Sequence, residues 1–222
     1  IRTLFIEGGT RILTQFLTAD AIDYLRMATA PFFVGDSHAP RFVHAGRFPH
    51  NKNRRMHLLS TQAVGDMSVA IYALKASAED YARMEQAITL AAQCPPSKGA
   101  YSVGAVIVTE DGQVFTGYSR ETAPTNHAEE EAILKAIRAG SRLTGATVYS
   151  SMEPCTTRKS KPASCSELII LHRMKRVVFA AYEPPTFVTC LGEAVLRQAG
   201  IEVTILSDLA QKALDVNRHL AK

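Results

Sequence analysis

The sequence predicts a mixed α/β protein whose larger part is a three-layer α/β/α sandwich. From residue 77 onward, apolar strand-like segments alternate with helical segments of about ten residues, which is typical of a mostly parallel sheet between two helical layers. The segment Val177 to Ala181 is entirely apolar, as expected of a strand covered on both faces. Residues 1–75 lack this regularity and amount to about half a domain. We therefore expect two units, residues 1–75 and residues 76–222.

Composition and charge narrow the function classes. With 46% hydrophobic and 21% charged residues, the 222-residue chain can bury an ordinary core. The formal net charge of +4 suits an anionic small molecule but lacks the clustering expected of a nucleic-acid binder. The sequence contains neither a membrane-length apolar run nor a signal peptide, so we expect a cytoplasmic protein without a membrane partner. Because the chain lacks an initiating Met, we also expect a longer native protein.

The elements predicted for residues 1–75 follow from short apolar runs and from turn residues. Leu4 to Ile6 is an apolar run that indicates a buried strand, and Glu7-Gly8-Gly9-Thr10 is typical of a tight turn. The remaining predicted elements are a helix over 11–18, a strand region over 22–34, an irregular basic segment over 41–55 and a hairpin over 56–74 that turns at Gly65-Asp66.

The elements predicted for residues 76–222 begin with a helix over 79–93, which the prolines Pro95 and Pro96 end. Two strands, 101–109 and 113–119, flank Glu110-Asp111-Gly112, and this Asp-Gly pair predicts a hairpin turn with positive φ at both central residues. Beyond the hairpin, helices and strands alternate: helix 128–139, strand 146–151, helix 165–172, strand 176–182, helix 190–199, strand 201–206 and a helix to the C-terminus.

Four residues in this second part form a candidate metal site. His127 and Glu129 start one predicted helix, Cys155 follows a strand, and Cys165 opens the next helix. One imidazole and two thiolates are three ligands for a tetrahedral Zn²⁺, with the fourth position left for water, as in catalytic zinc sites. Helix N-termini favour thiolates because their dipoles stabilise negative charge. The spacing therefore predicts an open zinc site.

Glu129 has the position of a general acid and base beside that metal. His-x-Glu followed by Pro-Cys and a second Cys is the signature of zinc deaminases, in which the Glu moves protons without ligating zinc. Three alternatives remain open from the residues alone: buried thiols beside a core histidine, a Cys155–Cys165 disulfide, and a structural zinc completed by Cys94 or Cys190. Four cysteines are too few for a disulfide scaffold, and a reducing compartment favours the metal.

Residues from about 79 to 222 resemble the cytidine-deaminase-like superfamily, and within it the fungal-type pyrimidine deaminases of riboflavin biosynthesis. The resemblance lies in "GYSRE" (Gly117 to Glu121), "NHAEEEA" (Asn126 to Ala132) and "MEPCTTRKS" (Met152 to Ser160), with the second Cys at the spacing of that family. Most nucleoside and base deaminases have only two residues between the cysteines. Two departures, Thr125-Asn126 in reversed order and Ser160-Lys161-Pro162 within the loop, put the fine substrate specificity in doubt.

The N-terminal segment "LFIEGGTRILTQFL" (Leu4 to Leu17) resembles a late segment of riboflavin-pathway pyrimidine reductases. That resemblance implies a partial dihydrofolate-reductase-like α/β segment. In the reductase family, the two glycines let the backbone approach the NADPH phosphates. A plain strand-turn-helix connection is the alternative. Reductase activity from these 222 residues is not expected, and the segment would serve as a fusion fragment or as a remnant for packing or dimerisation. We expect a homodimer.

The riboflavin resemblance implies a phosphorylated small-molecule substrate, a 2,5-diamino-6-(ribosyl or ribityl)amino-4-pyrimidinone 5′-phosphate. Arginine binds phosphate in a fork that lysine cannot copy, so residues beside the metal motif are candidates. The predicted substrate-binding residues are Ser119, Arg120, Asn126, Glu153, Arg158 and Lys159. Each has a plainer alternative, since Asn before a helix commonly caps it and basic runs are commonly solvated.

Three other functions compete with this hypothesis. The chain could deaminate CMP, dCMP or a secondary-metabolite heterocycle, or it could be a silent partner of a reductase. The presence of His127, Glu129, Cys155 and Cys165 argues against the silent partner. A nucleic-acid editor is disfavoured because the sequence has no stripe of aromatic and basic residues.

Overall fold

A computed structural model describes residues 4–158, 160–183 and 191–220 of the chain. The chain divides into two compact units, Ile1–Ala78 and Glu79–Lys222. No helix among the described residues is both long enough and apolar enough to span a membrane.

The first unit contains one helix and an antiparallel sheet. The helix α1 covers Thr10–Thr18, and the strands are β1 (Tyr24–Thr29), β2 (His57–Val64) and β3 (Met67–Ala73) in the order β1-β3-β2. The predicted hairpin at Gly65-Asp66 is confirmed, and Gly65 has a φ of 62°, as a tight hairpin turn requires. A small core forms around Leu17, Leu25 and Leu74.

Two strand predictions in the first unit are wrong. Leu4 to Ile6 is irregular, and Leu4 and Phe5 are 68% and 74% exposed, because none of the described strands pairs with this segment. The strand predicted over 22–34 covers only 24–29. Pro31 follows its end and cannot donate a backbone hydrogen bond to a neighbouring strand, and Phe33 beyond it is fully exposed.

The second unit alternates helices and strands as predicted. Its elements are α2 (Ala78–Ala91), β4 (Gly104–Val108), β5 (Val114–Tyr118), α3 (Ala128–Arg138), β6 (Thr147–Met152), α4 (Cys165–Leu171), β7 (Arg176–Ala181), α5 (Gly192–Gln198), β8 (Glu202–Ile205) and α6 (Ala210–Asp215). The predicted C-terminal helix is interrupted, because short 3-10 turns flank α6 at Ser207–Leu209 and Arg218–Leu220. The helix predicted from residue 190 begins at Gly192, and Cys190 lies outside the described residues.

The five strands of this unit form one mixed sheet in the order β5-β4-β6-β7-β8. The β5–β4 and β4–β6 pairs are antiparallel, whereas β6–β7 and β7–β8 are parallel. Four of the five strands therefore point in one direction, with β4 reversed. The parallel part places the carboxyl ends of β6 and β7 side by side, where ligands commonly bind in open α/β sheets.

Helices cover both faces of this sheet, which confirms the α/β/α sandwich. On one face, α3, α4 and α5 contribute Ile133, Ile169 and Leu196 to a core shared with the strands. On the other face, α2 approaches β4 so closely that a Cβ at Gly104 would meet the carbonyl oxygen of Ala87 at 2.0 Å. All residues of β7 beyond Arg176 are buried, as the apolar run predicts.

The hairpin between β4 and β5 differs in detail from the prediction. Gly112 has a φ of 82°, but Asp111 does not have positive φ. The loop is one residue longer than a two-residue turn, since Thr109 and Gln113 pair across it and the Gly112 N–H bonds to Thr109. One left-handed glycine suffices for such a loop.

Candidate metal centre and its pocket

Three elements bring the predicted metal ligands together at the carboxyl end of β6. His127 is the extended N-cap residue of α3. Cys155 lies in the loop after β6, and Cys165 is the first residue of α4. The start of α4 is fixed by a capping box in which Ser164 and Glu167 bond each other's backbone N–H groups.

The donor atoms of these residues are spaced as a metal requires. The Nδ1 atom of His127 lies 3.5 Å from the Sγ atoms of both Cys155 and Cys165. All three donor atoms lie within 4.8 Å of one another. Ordinary Zn–S and Zn–N bonds in a tetrahedron place sulfur and nitrogen about 3.6 Å apart. The three side chains are therefore positioned to bind a zinc ion.

The surroundings distinguish the two thiols. The hydrogen bond with Cys165 and the contact with His127 hold the pKa of Cys155 well below its usual range. Cys155 and burial in turn raise the pKa of Cys165. Both cysteines are free of disulfide bonds. One thiolate is therefore ready for a metal, and binding must displace the proton of the second thiol.

Glu129 lies beside this cluster but is held by other groups. Its side chain is buried, and Oε1 accepts a hydrogen bond from Ser150 Oγ at 3.0 Å. Its Oε2 accepts one from Cys165 Sγ at 3.2 Å. Burial, followed by the nearby Cys155, raises the pKa of Glu129. A carboxyl group that exchanges protons nearer to neutral pH is suited to general acid–base chemistry.

A cavity of about 340 Å³ opens over the cluster. Cys165 lies beneath it as the buried ligand. Eight of the ten residues predicted for the site line this cavity: Ser119, Arg120, Asn126, His127, Glu129, Glu153, Cys155 and Arg158. The pocket, the metal cluster and the buried acid therefore form one site within the second unit.

Residues 77–181 match the family described as the cytidine and deoxycytidylate deaminase zinc-binding region. Residues 77–181, which make up most of the second unit, therefore form a zinc-binding deaminase domain. Residues 1–69 match the RibD C-terminal domain. The predicted superfamily and the predicted zinc are thereby confirmed.

Relatives with names from riboflavin biosynthesis match about half of the chain. The diaminohydroxyphosphoribosylamino-pyrimidine deaminase of Schizosaccharomyces pombe is 45% identical over 127 residues, which are 56% of this chain and 31% of that protein. The riboflavin biosynthesis protein RibD of Aquifex aeolicus is 41% identical over 104 residues, or 47% of this chain and 28% of that protein. The matched segment thus spans about a third of these curated relatives.

A solved structure supports the same family. The Rib2 deaminase of Aspergillus oryzae in complex with DARIPP has a TM-score of 0.55 and 26% identity to this chain. The match covers 62% of this chain and 88% of that one.

Two predicted substrate residues of the deaminase domain bond mainly to the protein itself. The Arg120 guanidinium donates a hydrogen bond to the Pro95 carbonyl oxygen at 2.7 Å and another to the Tyr101 carbonyl oxygen at 3.1 Å. It also donates to the Ser102 hydroxyl. Ser119 Oγ accepts from the Val103 N–H at 3.2 Å. Both side chains hold the strand ends at the cavity wall, and their contact with substrate stays a prediction.

Arg158 and Asn126 are engaged in a similar way. The Arg158 side chain is only 3% exposed and donates to Glu130 Oε2 at 3.0 Å and to the Thr125 carbonyl at 2.5 Å. Asn126 accepts from Lys161 Nζ through its side-chain oxygen. Hydrogen bonds from Lys161 and Arg158 outweigh burial and lower the pKa of Glu130. Arg158 is therefore held by the protein itself, and its contact with a substrate phosphate stays a prediction.

The remaining two predictions differ in status. Glu153 is buried, and its Oε1 accepts the Glu193 N–H at 2.9 Å, so it caps the first turn of α5 while lining the cavity. Lys159 lies outside the described residues. Cys94 donates to the Val103 carbonyl and does not join the metal cluster of the described residues, which leaves Cys94 out as a fourth ligand.

Sequence reasoning missed three residues of the site. Ser150 holds Glu129, Glu130 pairs with the two cations, and Glu183 lines the cavity. Burial, followed by the Cys155 thiolate, raises the pKa of Glu183 to about 7. A signal existed for Glu183, because it follows β7 just as Glu153 follows the parallel neighbour β6. Glu130 had none, since its partners are 28 and 31 residues away.

Proposed function

We propose that the deaminase domain hydrolyses a phosphorylated diaminopyrimidine and releases ammonia in riboflavin biosynthesis. The substrate class is a 2,5-diamino-6-(ribosyl or ribityl)amino-4-pyrimidinone 5′-phosphate. The observation that carries this proposal is the buried Glu129 carboxyl beside the His127, Cys155 and Cys165 cluster at the floor of one cavity.

The chemistry replaces an amino group of the ring by oxygen. Zinc, when bound, supplies an activated water to the site. The Glu129 carboxyl group would carry the two protons of the attacking water in turn, the first to the ring nitrogen and the second to the departing amine, so that one water is consumed and one ammonia is released. Ser150 orients the carboxyl group through the 3.0 Å hydrogen bond to Oε1.

The riboflavin substrate is supported by three features. Nine residues separate Cys155 from Cys165, whereas most nucleoside deaminases of the superfamily have two. The S. pombe and A. aeolicus relatives carry names from this pathway. The cavity of about 340 Å³ falls within the size range of small-molecule sites. A cytoplasmic location belongs to the proposal, because a reducing compartment keeps both ligand thiols free.

A substrate panel tests the proposal. The purified protein, with its zinc content measured by elemental analysis, is incubated with the ribosylamino and ribitylamino diaminopyrimidine phosphates, CMP and dCMP, and ammonia release is recorded. We expect about one zinc per chain and ammonia from a diaminopyrimidine phosphate. If only dCMP released ammonia, the proposed substrate would be wrong and dCMP would take its place. If none of the four compounds released ammonia, the hypothesis of a catalytically silent partner of a reductase would be favoured.

The variant Glu129→Gln tests the mechanism within that assay. The amide that replaces the carboxyl group cannot move a proton, so we expect kcat to fall by about 100-fold or more while zinc content is unchanged. Glu85→Gln on α2 is the matched control, since its carboxylate is 42% exposed and lies outside the cavity lining. Wild-type turnover in Glu129→Gln would remove the mechanism.

A further inference from the structure

One carboxylate fastens the loop between the two metal cysteines to helix α3. Glu130 lies in the first turn of α3. Its Oε2 accepts from Arg158 Nη1 at 3.0 Å, and its Oε1 accepts from Lys161 Nζ at 2.5 Å. The side chains of Glu130, Arg158 and Lys161 are 12%, 3% and 32% exposed. The two oxygens of a single side chain therefore bind two separate points of the loop.

The same two cations also bind the segment that leads into α3. Arg158 donates to the Thr125 carbonyl, and Lys161 donates to the Asn126 side chain. These acceptors are neutral, so among the described contacts Glu130 supplies the only negative charge for either cation. Without it, two cations would lie together in a partly buried place with no counter-charge, which disfavours the closed loop.

The position of this contact links it to the metal ligands. Arg158 lies three residues after Cys155, and Lys161 lies four residues before Cys165. Glu130 itself lies three residues after His127, on the helix whose N-cap is that histidine. The ion pairs therefore join the chain on one side of the cluster to the loop that carries both thiols.

We propose that Glu130 is a positioning residue that clamps the 155–165 loop onto α3 and so slows metal loss from the site. The inference rests on the proposed zinc site but does not require a particular substrate. It also gives Arg158 a role within the protein that the sequence did not predict. Groups that orient metal ligands typically change metal affinity by about 10–100-fold when they are removed.

The test measures zinc release from the holoprotein into excess chelator. We expect Glu130→Gln to release zinc about tenfold faster than the wild type, and Glu130→Asp, which keeps the charge, to recover part of the difference. Glu121→Gln is the matched control, because Glu121 forms a 2.5 Å ion pair with Lys135 away from the loop and is 18% exposed. Its release rate is expected to equal that of the wild type.

Trypsin provides a readout on the loop itself. The clamped loop is expected to resist cleavage after Arg158, whereas Glu130→Gln is expected to be cleaved there several-fold faster at a temperature at which circular dichroism shows both proteins fully folded. If Glu130→Gln does not fold, Arg158→Gln breaks the clamp from the loop side and must accelerate zinc release similarly.

A double variant decides whether the two residues act as a unit. Glu130→Gln combined with Arg158→Gln is expected to release zinc no faster than the worse single variant, since both remove one interaction. Folded single variants with wild-type zinc release, or effects that multiply in the double variant, would overturn the clamp. A protein that holds zinc tightly but deaminates none of the substrates would overturn the proposed function and leave the clamp standing.

Discussion

At the scale of single residues, a close contact between α3, which carries the metal ligand His127, and strand β5 depends on Gly117. This residue of β5 packs against α3, and an added Cβ would lie 2.4 Å from the Ala128 carbonyl oxygen and 2.7 Å from the Ala132 nitrogen. Backbone atoms cannot yield as a flexible side chain can. Because His127 and Glu129 lie at the start of α3, the lack of a side chain at Gly117 determines how closely these two residues approach the sheet.

We therefore expect Gly117→Ala to displace α3 and to cost about 1–3 kcal/mol of unfolding free energy or more. Urea unfolding of the zinc-loaded protein measures the loss, and zinc release should accelerate because His127 moves with the helix. Val114→Ala on the same strand is the control, since Val114 is 38% exposed and should cost under about 1 kcal/mol. Equal stabilities of the two variants would contradict the argument.

The residues of the site differ in how far the sequence could predict them. His127, Glu129, Cys155 and Cys165 follow from local motifs at helix starts, and the fold brings all four together. The ion pair of Arg158 could not be predicted, because a basic run does not reveal that a glutamate 28 residues earlier neutralises it. Pairing over such separations depends on the three-dimensional arrangement of α3 and the loop.

At the scale of elements, a buried ion pair ties α2 to the sheet on the face opposite α3. Asp80 in the first turn of α2 accepts from Arg176 Nη1 at 2.6 Å and from the Tyr149 hydroxyl at 3.0 Å. The side chains of Asp80 and Arg176 are 3% and 15% exposed. The pKa of Tyr149 is raised by burial and by Asp80, which keeps its hydroxyl protonated as the donor.

Removal of this carboxylate should destabilise the domain strongly, because it leaves a largely buried guanidinium with fewer partners. We expect Asp80→Ala to lower the unfolding free energy by about 3 kcal/mol. The neighbouring Glu79→Ala is the control: Glu79 is 63% exposed and its contact with Arg83 is 3.6 Å long, so a change under about 0.5 kcal/mol is expected. Urea unfolding at neutral pH compares them, and similar losses would refute the tie.

The helices and strands could be predicted where the apolar residues recur periodically and where helices cover both faces of the sheet. All the helices and strands of the deaminase domain were expected, with ends shifted by a few residues and a C-terminal helix that breaks into short pieces. The failures lie in the first unit. Leu4 to Ile6 has the composition of a strand, but a strand also needs a hydrogen-bonding neighbour, and composition does not report one.

At the scale of the whole molecule, the two units differ in how well they bury apolar side chains. In the first unit Leu4, Phe5, Phe32 and Phe33 are each more than two-thirds exposed. The described core of the second unit, by contrast, spans strands and the helices on one face. The expected homodimer and the assignment of residues 1–75 to a partial reductase-like segment stay predictions.

Every described residue of the metal cluster and its cavity lies in the second unit, so this unit should keep the site on its own. We expect a protein of residues 77–222, which retains all of α2, to fold cooperatively and to bind about one zinc per chain. The measurements are circular dichroism, urea unfolding and elemental analysis, with His127→Ala of the same length as the zinc-deficient control. A fragment that is unfolded, or that binds no more zinc than this control, would show that residues 1–76 are required for the site. Retained zinc would instead assign the metal chemistry to the deaminase domain alone, because the ligands, Glu129 and the helices that orient them are all encoded after residue 76.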